Sequence, residues 1–595
     1  MLAARFVGDF VFPTLVDKAF FTETRQRWLL LLLTAFTFFI LLGSRALNEP
    51  DEGRYSEIAR EMIETGNWVV PHFWYLPHLD KPPLTYWLVA ISMKLFGQNE
   101  WAARLPLALA GMSGVGAVWL LGSSIGGRRV GFWSSLILQT SLLYFVMARM
   151  LTTDMFLTQF TAWAVYFLWR SWQSLTSDLR PRTSDFWLWH LAGWAAIALG
   201  FLTKGPVALV IPLVALTALV VYRWKSFAAK KLLLGGLTAG LALFLVLVLP
   251  WFLAVFRRVP ESFDYMTFGQ AAGHLLGTTI KNRKGGPFYF FGILAVGLLP
   301  WTFLLGWLWR RVTPAPTADV GVRVPVVLQK DAWVLLNVWV IFTFTLFSFS
   351  QAKLPAYILP VFPALAVMLA WRFFGDERMT RPAPALVWRF CLGSSLWLPA
   401  AFPLAVVYAF HHPLPGWMKW QTPVIVGIML LVLWLARKWN PAKCAGLTVV
   451  LVVLGLVVTL AEIPWFQGSL RRNSTLKPLG LVLREKCQPG EAVVCWGDLP
   501  EGLAFYAYPA IDATHRPYFG DMKLTQVPFE FPGNQRRLGD LLLPDDGALA
   551  HLLAEDRRVW VVGINDTVER FLQNHPATPL NLVTNAGQWK LFVNR

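Results

Sequence analysis

The sequence predicts a polytopic α-helical membrane protein with a small α/β domain at its carboxyl end. Three observations lead there. Of its 595 residues 56% are hydrophobic and 15% charged, with a mean hydropathy of +0.49 and 31 tryptophans. That is too apolar, and too rich in side chains that favour the bilayer interface, for a soluble chain of this length. Apolar runs of membrane-spanning length recur from Trp28 to about residue 464, and beyond that point the pattern changes.

A span needs roughly 20 mostly apolar residues, and about thirteen candidates are centred near residues 36, 112, 139, 162, 195, 214, 244, 297, 341, 362, 398, 430 and 453. The first begins at Trp28 behind Arg25 and Arg27, without a small-residue cleavage site, so it is expected to be retained as a span. With the amino terminus inside, the clusters around Arg128/Arg129, Arg180/Arg182, Arg223/Lys225, Arg310/Arg311, Arg372/Arg378 and Arg437/Lys438 all face the cytoplasm. Those loops account for the formal net charge of +18, so no nucleic-acid partner is expected. An odd number of spans then leaves the tail outside.

In that tail, runs such as "EAVVCWG" and "RRVWVVGI" shorten to strand length between polar stretches. They predict a mixed α/β domain over residues 465–595, following a membrane domain over residues 1–464. No catalytic motif is read there. Cys487 and Cys495 would lie in an oxidising compartment, where a disulfide and two separate thiols are both compatible with the sequence. None of the 4 cysteines has metal-site spacing. There is no P-loop, and the glycines of "GMSGVGAVW" and "GGLTAG" fall in membrane helices, where they serve close packing. No nucleotide cofactor is expected, and an activated substrate must bring its own leaving group.

The first outer loop opens with "NEPDEGRYSEIAREM". From Arg54 onward Tyr55, Ile58, Ala59, Met62 and Ile63 recur on one helical face and Glu57, Glu61 and Glu64 on the other, which predicts an amphipathic helix at the membrane surface with the glutamates in water. Asp51 reads either as a helix N-cap or as a functional carboxylate. In "HLDKPP" two prolines hold the backbone of Asp80 and Lys81 extended; Lys81 is either a snorkelling lysine or a ligand group. Asp154 in "TTDMF" is a carboxylate near hydrocarbon, costly unless it faces water or a partner. Lys204 and Lys353 stand alone at outer ends of spans. The loop from Arg257 to Gly286 carries Lys281, Arg283 and Lys284 on the side where positive charge is disfavoured, so an anionic phosphate or anionic headgroups outside should balance it. Carboxylates and cations gathered at one outer surface suit transfer of a group from a lipid phosphate.

"DEGRYSEIAREM", "HLDKPPLTYWL", "TTDMF", "FLTKGPVA" and "AKLPAYILPVFPALA", in this order over about residues 28–370, resemble the bacterial aminoarabinose transferases of lipid A. More broadly they are similar to the protein mannosyltransferase-like glycosyltransferases of the GT-C type. The resemblance implies an inner-membrane enzyme with a periplasmic active site. Such an enzyme passes a sugar, 4-amino-4-deoxy-L-arabinose in these relatives, from a polyprenyl (undecaprenyl) phosphate to lipid A or another lipopolysaccharide acceptor. It makes Asp51 and Asp154 the essential carboxylates, places Arg54, Tyr55 and Lys81 near the donor phosphate, and lines the same cavity with Lys353 and Tyr357; Lys204, Arg283 and Lys284 join them as phosphate-binding candidates.

Two departures stand out. Asp80 occupies a position where the family usually has Glu, and "FGQAAGHLLG" lacks the family's Glu-His pair, leaving Asp80 and His274 as the candidate ligands of a divalent metal. The alternatives are a protein O-mannosyltransferase-like enzyme and a lipid-linked sugar flippase. The flippase is disfavoured because the charges gather at one face and not at the bilayer midplane.

Overall fold

The computed structural model describes residues 23–176, 183–226, 230–270, 285–286, 288–308, 326–350, 352–375, 385–395, 400–401, 416, 418–439, 441–466, 475–522 and 529–595. Its main helices are α1 (Glu23–Phe39), α2 (Asp51–Thr65), α3 (Leu84–Phe96), α4 (Glu100–Gly126), α5 (Arg128–Gln139), α6 (Thr153–Thr176), α7 (Thr183–Lys204), α8 (Val207–Tyr222), α9 (Leu237–Arg258), α10 (Val326–Phe349), α11 (Phe362–Phe374) and α12 (Pro441–Phe466).

Among the described residues six helical stretches are long and apolar enough to cross a membrane: α4, α7, α9, α10, Pro355–Phe374 and α12. A seventh candidate is the pair Tyr289–Gly297 and Trp301–Leu308, bent by 110°. The run expected near residue 139 is broken: α5 stops at Gln139 and a short helix, Leu142–Met147, follows. The side chains of Thr140 and Ser141 donate back to the carbonyls of Leu136 and Ile137, and the Trp301 indole donates to Thr140 at 2.9 Å. Such side-chain bonds compete with continuation of the helix.

Two features place the helices relative to one another. Gly122 of α4 lies against Gly131 of α5, where an added Cβ would come within 3.0 Å of the facing Cα, so the two helices approach as closely as small residues permit. Arg223, just past α8, pairs with the buried Asp331 near the start of α10 at 2.9 Å. Lys204 and Lys353 sit at the opposite ends of the neighbouring helices. The exposed side chains of α9 include Leu237, Leu241, Leu245, Val246, Leu249 and Leu253, an apolar outer face suited to lipid.

Beyond α12 lies a six-stranded sheet ordered β5-β4-β3-β6-β8-β7. Its strands are β3 (Ala492–Trp496), β4 (Tyr518–Gly520), β5 (Leu542–Leu543), β6 (Val559–Ile564), β7 (Asn581–Ala586) and β8 (Trp589–Val593); a separate hairpin in the first loop pairs β1 (His72–Phe73) with β2 (Leu76–Pro77). β3 runs parallel to β4 and β6, and β8 antiparallel to β6. The expected mixed α/β pattern is present. All of β3 is buried because both faces are covered: Val493 and Cys495 join the core continuous with the membrane helices, while Val494 and Trp496 join Leu549, Val568 and Phe571 on the other side. Cys487 and Cys495 are separate thiols, which decides between the two alternatives open in the sequence.

The carboxyl edge of the parallel strands turns toward the first loop. After β3, the Gly502 N–H donates to the buried Glu49 carboxylate at 3.1 Å. After β4, Phe531 meets Tyr265 edge-on at 5.0 Å and the Asn534 amide donates to the Pro77 carbonyl at 2.9 Å. This contact corrects the expectation for α2. Glu57 and Glu61 are buried, not in water, and Glu64 accepts the Ala513 N–H at 3.0 Å. Arg60 takes up the charge, donating to Glu57 and Glu64 and lying 4.8 Å from the Tyr508 ring. Burial, reinforced by Glu57, holds the Glu61 carboxyl well above its usual range.

Candidate functional site

Where α1 ends, its last carbonyls lose their helical partners. Two arginines from elsewhere take them over. Arg149 donates to the carbonyls of Thr37, Phe38 and Ile40, and Arg104 of α4 to those of Leu42, Arg45 and Ala46. Glu52 balances the charge from the start of α2, accepting from Arg45 at 2.6 Å, from Arg104 at 2.8 Å and from the Leu151 N–H at 3.1 Å. Burial opposes its ionisation, but the two guanidiniums hold the carboxyl well below the usual range. Glu52 is therefore the tie between α1, α4 and the segment leading into α6.

One residue earlier, Asp51 does not cap the helix: Pro50 occupies that position without a side-chain cap bond. Asp51 instead pairs with Arg54 one turn on. Arg54 is largely buried, and its second anionic partner is Glu501 of the tail at 3.3 Å. Burial works against its charge, but Glu501 and Asp51 outweigh it and raise its pKa above the ordinary value.

Tyr55 faces the other way. Its ring stacks on Tyr86 of α3, with centroids 5.6 Å apart and planes 25° from parallel, and its hydroxyl pairs with the side chain of Thr153. Burial pushes that hydroxyl's pKa up, so it remains a donor. Next to Thr153, in the first turn of α6, the buried Asp154 forms an ion pair with Lys204, the last residue of α7. The Lys204 ammonium also lies 4.5 Å from the centre of the Tyr357 ring. Neither Asp154 nor Lys204 stands alone at the end of its helix.

The remaining candidates are placed as follows. Lys353 is buried and donates to the Ser348 carbonyl at 2.5 Å, 5.7 Å from the Phe290 ring. Lys81 donates to the Asp80 carbonyl at 3.0 Å. The Asp80 carboxylate accepts the Tyr265 hydroxyl at 2.5 Å. Burial would raise the Asp80 pKa, but His78 and Lys81 beside it bring it below the ordinary value. Burial drives the His78 imidazole down to about 4, so it is neutral near pH 7. His274, Arg283 and Lys284 lie outside the described residues.

The structure thus joins Asp51 with Arg54, Tyr55 with the Asp154 turn, and Asp154 with Lys204 and Tyr357. Sequence reasoning missed Glu501, Glu49, Tyr86, His78 and Tyr265. It also missed Arg104, whose signal was available: a lone cation inside an apolar helix. Glu501, in "DLPEGLAFY", carries no local signal.

Comparison with known proteins supplies the family. Residues 80–251 match the family model described as dolichyl-phosphate-mannose-protein mannosyltransferase. The undecaprenyl phosphate-alpha-4-amino-4-deoxy-L-arabinose arabinosyl transferase of Erwinia tasmaniensis is 30% identical over 418 residues, 69% of this chain and 71% of that protein. The enzyme of the same name from Edwardsiella ictaluri is 33% identical over 354 residues, and the match spans 58% of the length of each. The crystal structure of ArnT from Cupriavidus metallidurans bound to undecaprenyl phosphate superposes with a TM-score of 0.75 over 96% of this chain and 99% of that one, at 23% identity, so the two share a fold. The run of motifs from Asp51 to Tyr357, the shared fold and the Erwinia match agree, and the chain belongs to the family of undecaprenyl phosphate-aminoarabinose arabinosyl transferases.

Proposed function

We propose that the chain is a membrane glycosyltransferase that moves a sugar from an undecaprenyl phosphate donor to lipid A or another lipopolysaccharide acceptor. The sugar named in its relatives is 4-amino-4-deoxy-L-arabinose. One observation carries the reading: Tyr55 lies between the Asp51 to Arg54 pair and the Asp154 to Lys204 pair, its ring 5.8 Å from the Arg54 guanidinium and its hydroxyl beside Thr153, the residue before Asp154, so carboxylates and cations from three distant segments share one end of the helix bundle.

In this reaction the bond between the anomeric carbon and the phosphate oxygen breaks, and undecaprenyl phosphate departs with the electron pair. An acceptor oxygen forms the new bond. Arg54, Lys81, Lys204 and Lys353 would offset the charge growing on the departing phosphate, joined by Arg283 and Lys284 of the later loop. Tyr55 and Tyr357 would orient the sugar and the ammonium beside it. A phosphate acceptor is already ionised near neutral pH, so Asp51 and Asp154 would position groups; a hydroxyl acceptor would need one of them as base.

The residues around Asp80 do not by themselves fit a divalent cation: calcium or magnesium takes six or more oxygen ligands, and zinc at least three protein donors. Among the described residues no three His, Cys, Asp or Glu side chains converge. Asp80 with His274 stays the proposed pair, and no step above depends on it. We place the site on the periplasmic side of a bacterial inner membrane, with about thirteen crossings over residues 1–464 and the soluble domain over 465–595. The test offers purified protein a labelled undecaprenyl phosphate sugar with lipid A in one tube and a protein acceptor in another. Labelled lipid A, seen by mass spectrometry, is the expected product; sugar on protein alone, or none on either, overturns the reading.

A further inference from the structure

The segment after β3 holds a group that none of the motifs above includes. It leaves the carboxyl edge of the parallel strands, the edge at which α/β folds commonly present functional side chains. Its path is fixed by close packing: Gly502 lies so near Gly53 that a Cβ on Gly53 would come within 2.7 Å of it, and Glu49 accepts the Gly502 N–H. Held there, Glu501 extends its carboxylate to 3.3 Å from the Arg54 guanidinium. Both side chains are largely buried, about 13% exposed each.

We propose that Glu501 is a positioning residue of the donor site, a built-in counter-anion from the soluble domain that holds Arg54 in place and that the donor phosphate must outcompete. The proposal rests on the reading of Arg54 as a phosphate ligand. Arg54 is flanked by Asp51 on its own helix, Asp80 on the first loop and Glu501 on the tail, with Glu49 beside Glu501. A phosphate arriving at this guanidinium meets one carboxylate from each of two neighbouring segments as well as Asp51. Of these Glu501 is the one delivered from outside the membrane part, across a 3.3 Å contact and not a tight pair. It therefore weakens the hold on phosphate in both directions, easing the release of undecaprenyl phosphate after transfer.

The experiment uses the full-length protein in detergent and undecaprenyl phosphate as the probe. Glu501→Gln removes the negative charge and keeps the side chain's length. A carboxylate several ångströms from a bound phosphate weakens binding by at least about three- to tenfold, the value for full aqueous screening and a lower bound for a largely buried group. Glu501→Gln is expected to bind undecaprenyl phosphate tighter by that factor and to lower the donor KM with no rise in kcat. Loosened docking alone would weaken binding, so Glu49→Gln, which perturbs the docking of Gly502 and leaves Glu501 charged, is expected not to tighten it. Equal or weaker binding by folded Glu501→Gln, or equal tightening by Glu49→Gln, overturns the proposal. Should Glu501→Gln fail to fold, Glu501→Asp withdraws the carboxylate by one methylene and must still tighten binding. A wild-type protein that does not bind undecaprenyl phosphate sinks the donor reading itself, whereas a binding wild type with an unchanged Glu501→Gln sinks only the part given to Glu501.

Discussion

The Asp154 carboxylate at the start of α6 is ion-paired with Lys204 at the end of α7; Asp154 is buried and Lys204 largely so. Removing one partner of such a pair strands a charge, at a cost of about 3–5 kcal/mol. Asp154→Asn is expected to abolish transfer and to lower thermal stability in detergent. The double variant Asp154→Asn with Lys204→Met should recover most of the stability and none of the activity. A double variant that regains transfer would show that the pair is structural only.

Asp51 is half-exposed and pairs with Arg54 within one turn of α2. Asp51→Asn should therefore abolish transfer with little effect on stability, on the order of 1 kcal/mol or less for a partly exposed pair. Sugar transfer and the melting temperature, measured on one preparation, check both halves.

Tyr55 makes two separable contacts. Tyr55→Phe keeps the stack on Tyr86 and loses the bond to Thr153, about 1 kcal/mol, while Tyr55→Ala also loses the stack and leaves a cavity worth about 3–5 kcal/mol. If the hydroxyl orients the sugar, Tyr55→Phe folds normally and is slowed in kcat. A fully active Tyr55→Phe would confine Tyr55 to packing.

His78 gives the protein a pH dependence whose sign is determined. Its folded pKa, about 4, lies below the unfolded value of 6.5, so between these the unfolded chain binds the extra proton. The neutral imidazole's full contribution is present above pH 6.5; it is lost as pH falls toward 4 and levels off below, a difference of about 3 kcal/mol. The buried Glu49 and Glu61 carboxyls, with raised pKa values, act in the opposite sense above 4.5, so the quantity to measure is the wild type minus His78→Gln. That difference should slope between pH 6.5 and 4 and be flat above; a flat difference throughout would contradict the buried neutral imidazole.

Glu52 holds two arginines at once, so Glu52→Gln should be among the most damaging single changes in the first loop. About 3–5 kcal/mol is expected from the uncompensated guanidiniums. Resistance to protease in membranes is the readout, and wild-type resistance would show that Arg45 and Arg104 find other partners.

The helix Asp51–Thr65 was legible because its signals are local: the spacing of Tyr55, Ile58, Ala59 and Met62, and acids in its first turn. Which face meets water was not legible. Glu57, Glu61 and Glu64 look like a solvated face until the tail is laid over them, and the contacts that bury them, such as Ala513 to Glu64, join residues 449 apart. The same reason hides Glu501, whose neighbours in sequence say nothing about Arg54. Asp154 and Lys204 were picked out singly as polar groups at the ends of apolar runs. Their pairing follows from the packing of α6 against α7, which periodicity within either helix does not encode. The break after Gln139 was missed because Thr140 and Ser141 interrupt α5 through hydroxyl bonds, and hydropathy does not register those.

The bond between Glu49 and Gly502 spans 453 residues, and it sets an order of manufacture. At a synthesis rate of about 5–20 residues per second, the first loop waits about 20 to 90 seconds before its covering segment exists. For that interval Glu501 does not yet exist, so no half-made chain holds Arg54 between Asp51 and Glu501 as the finished one does. Arg54 thus gains its second carboxylate partner only after the segment around Glu501 has been made and has closed over the first loop.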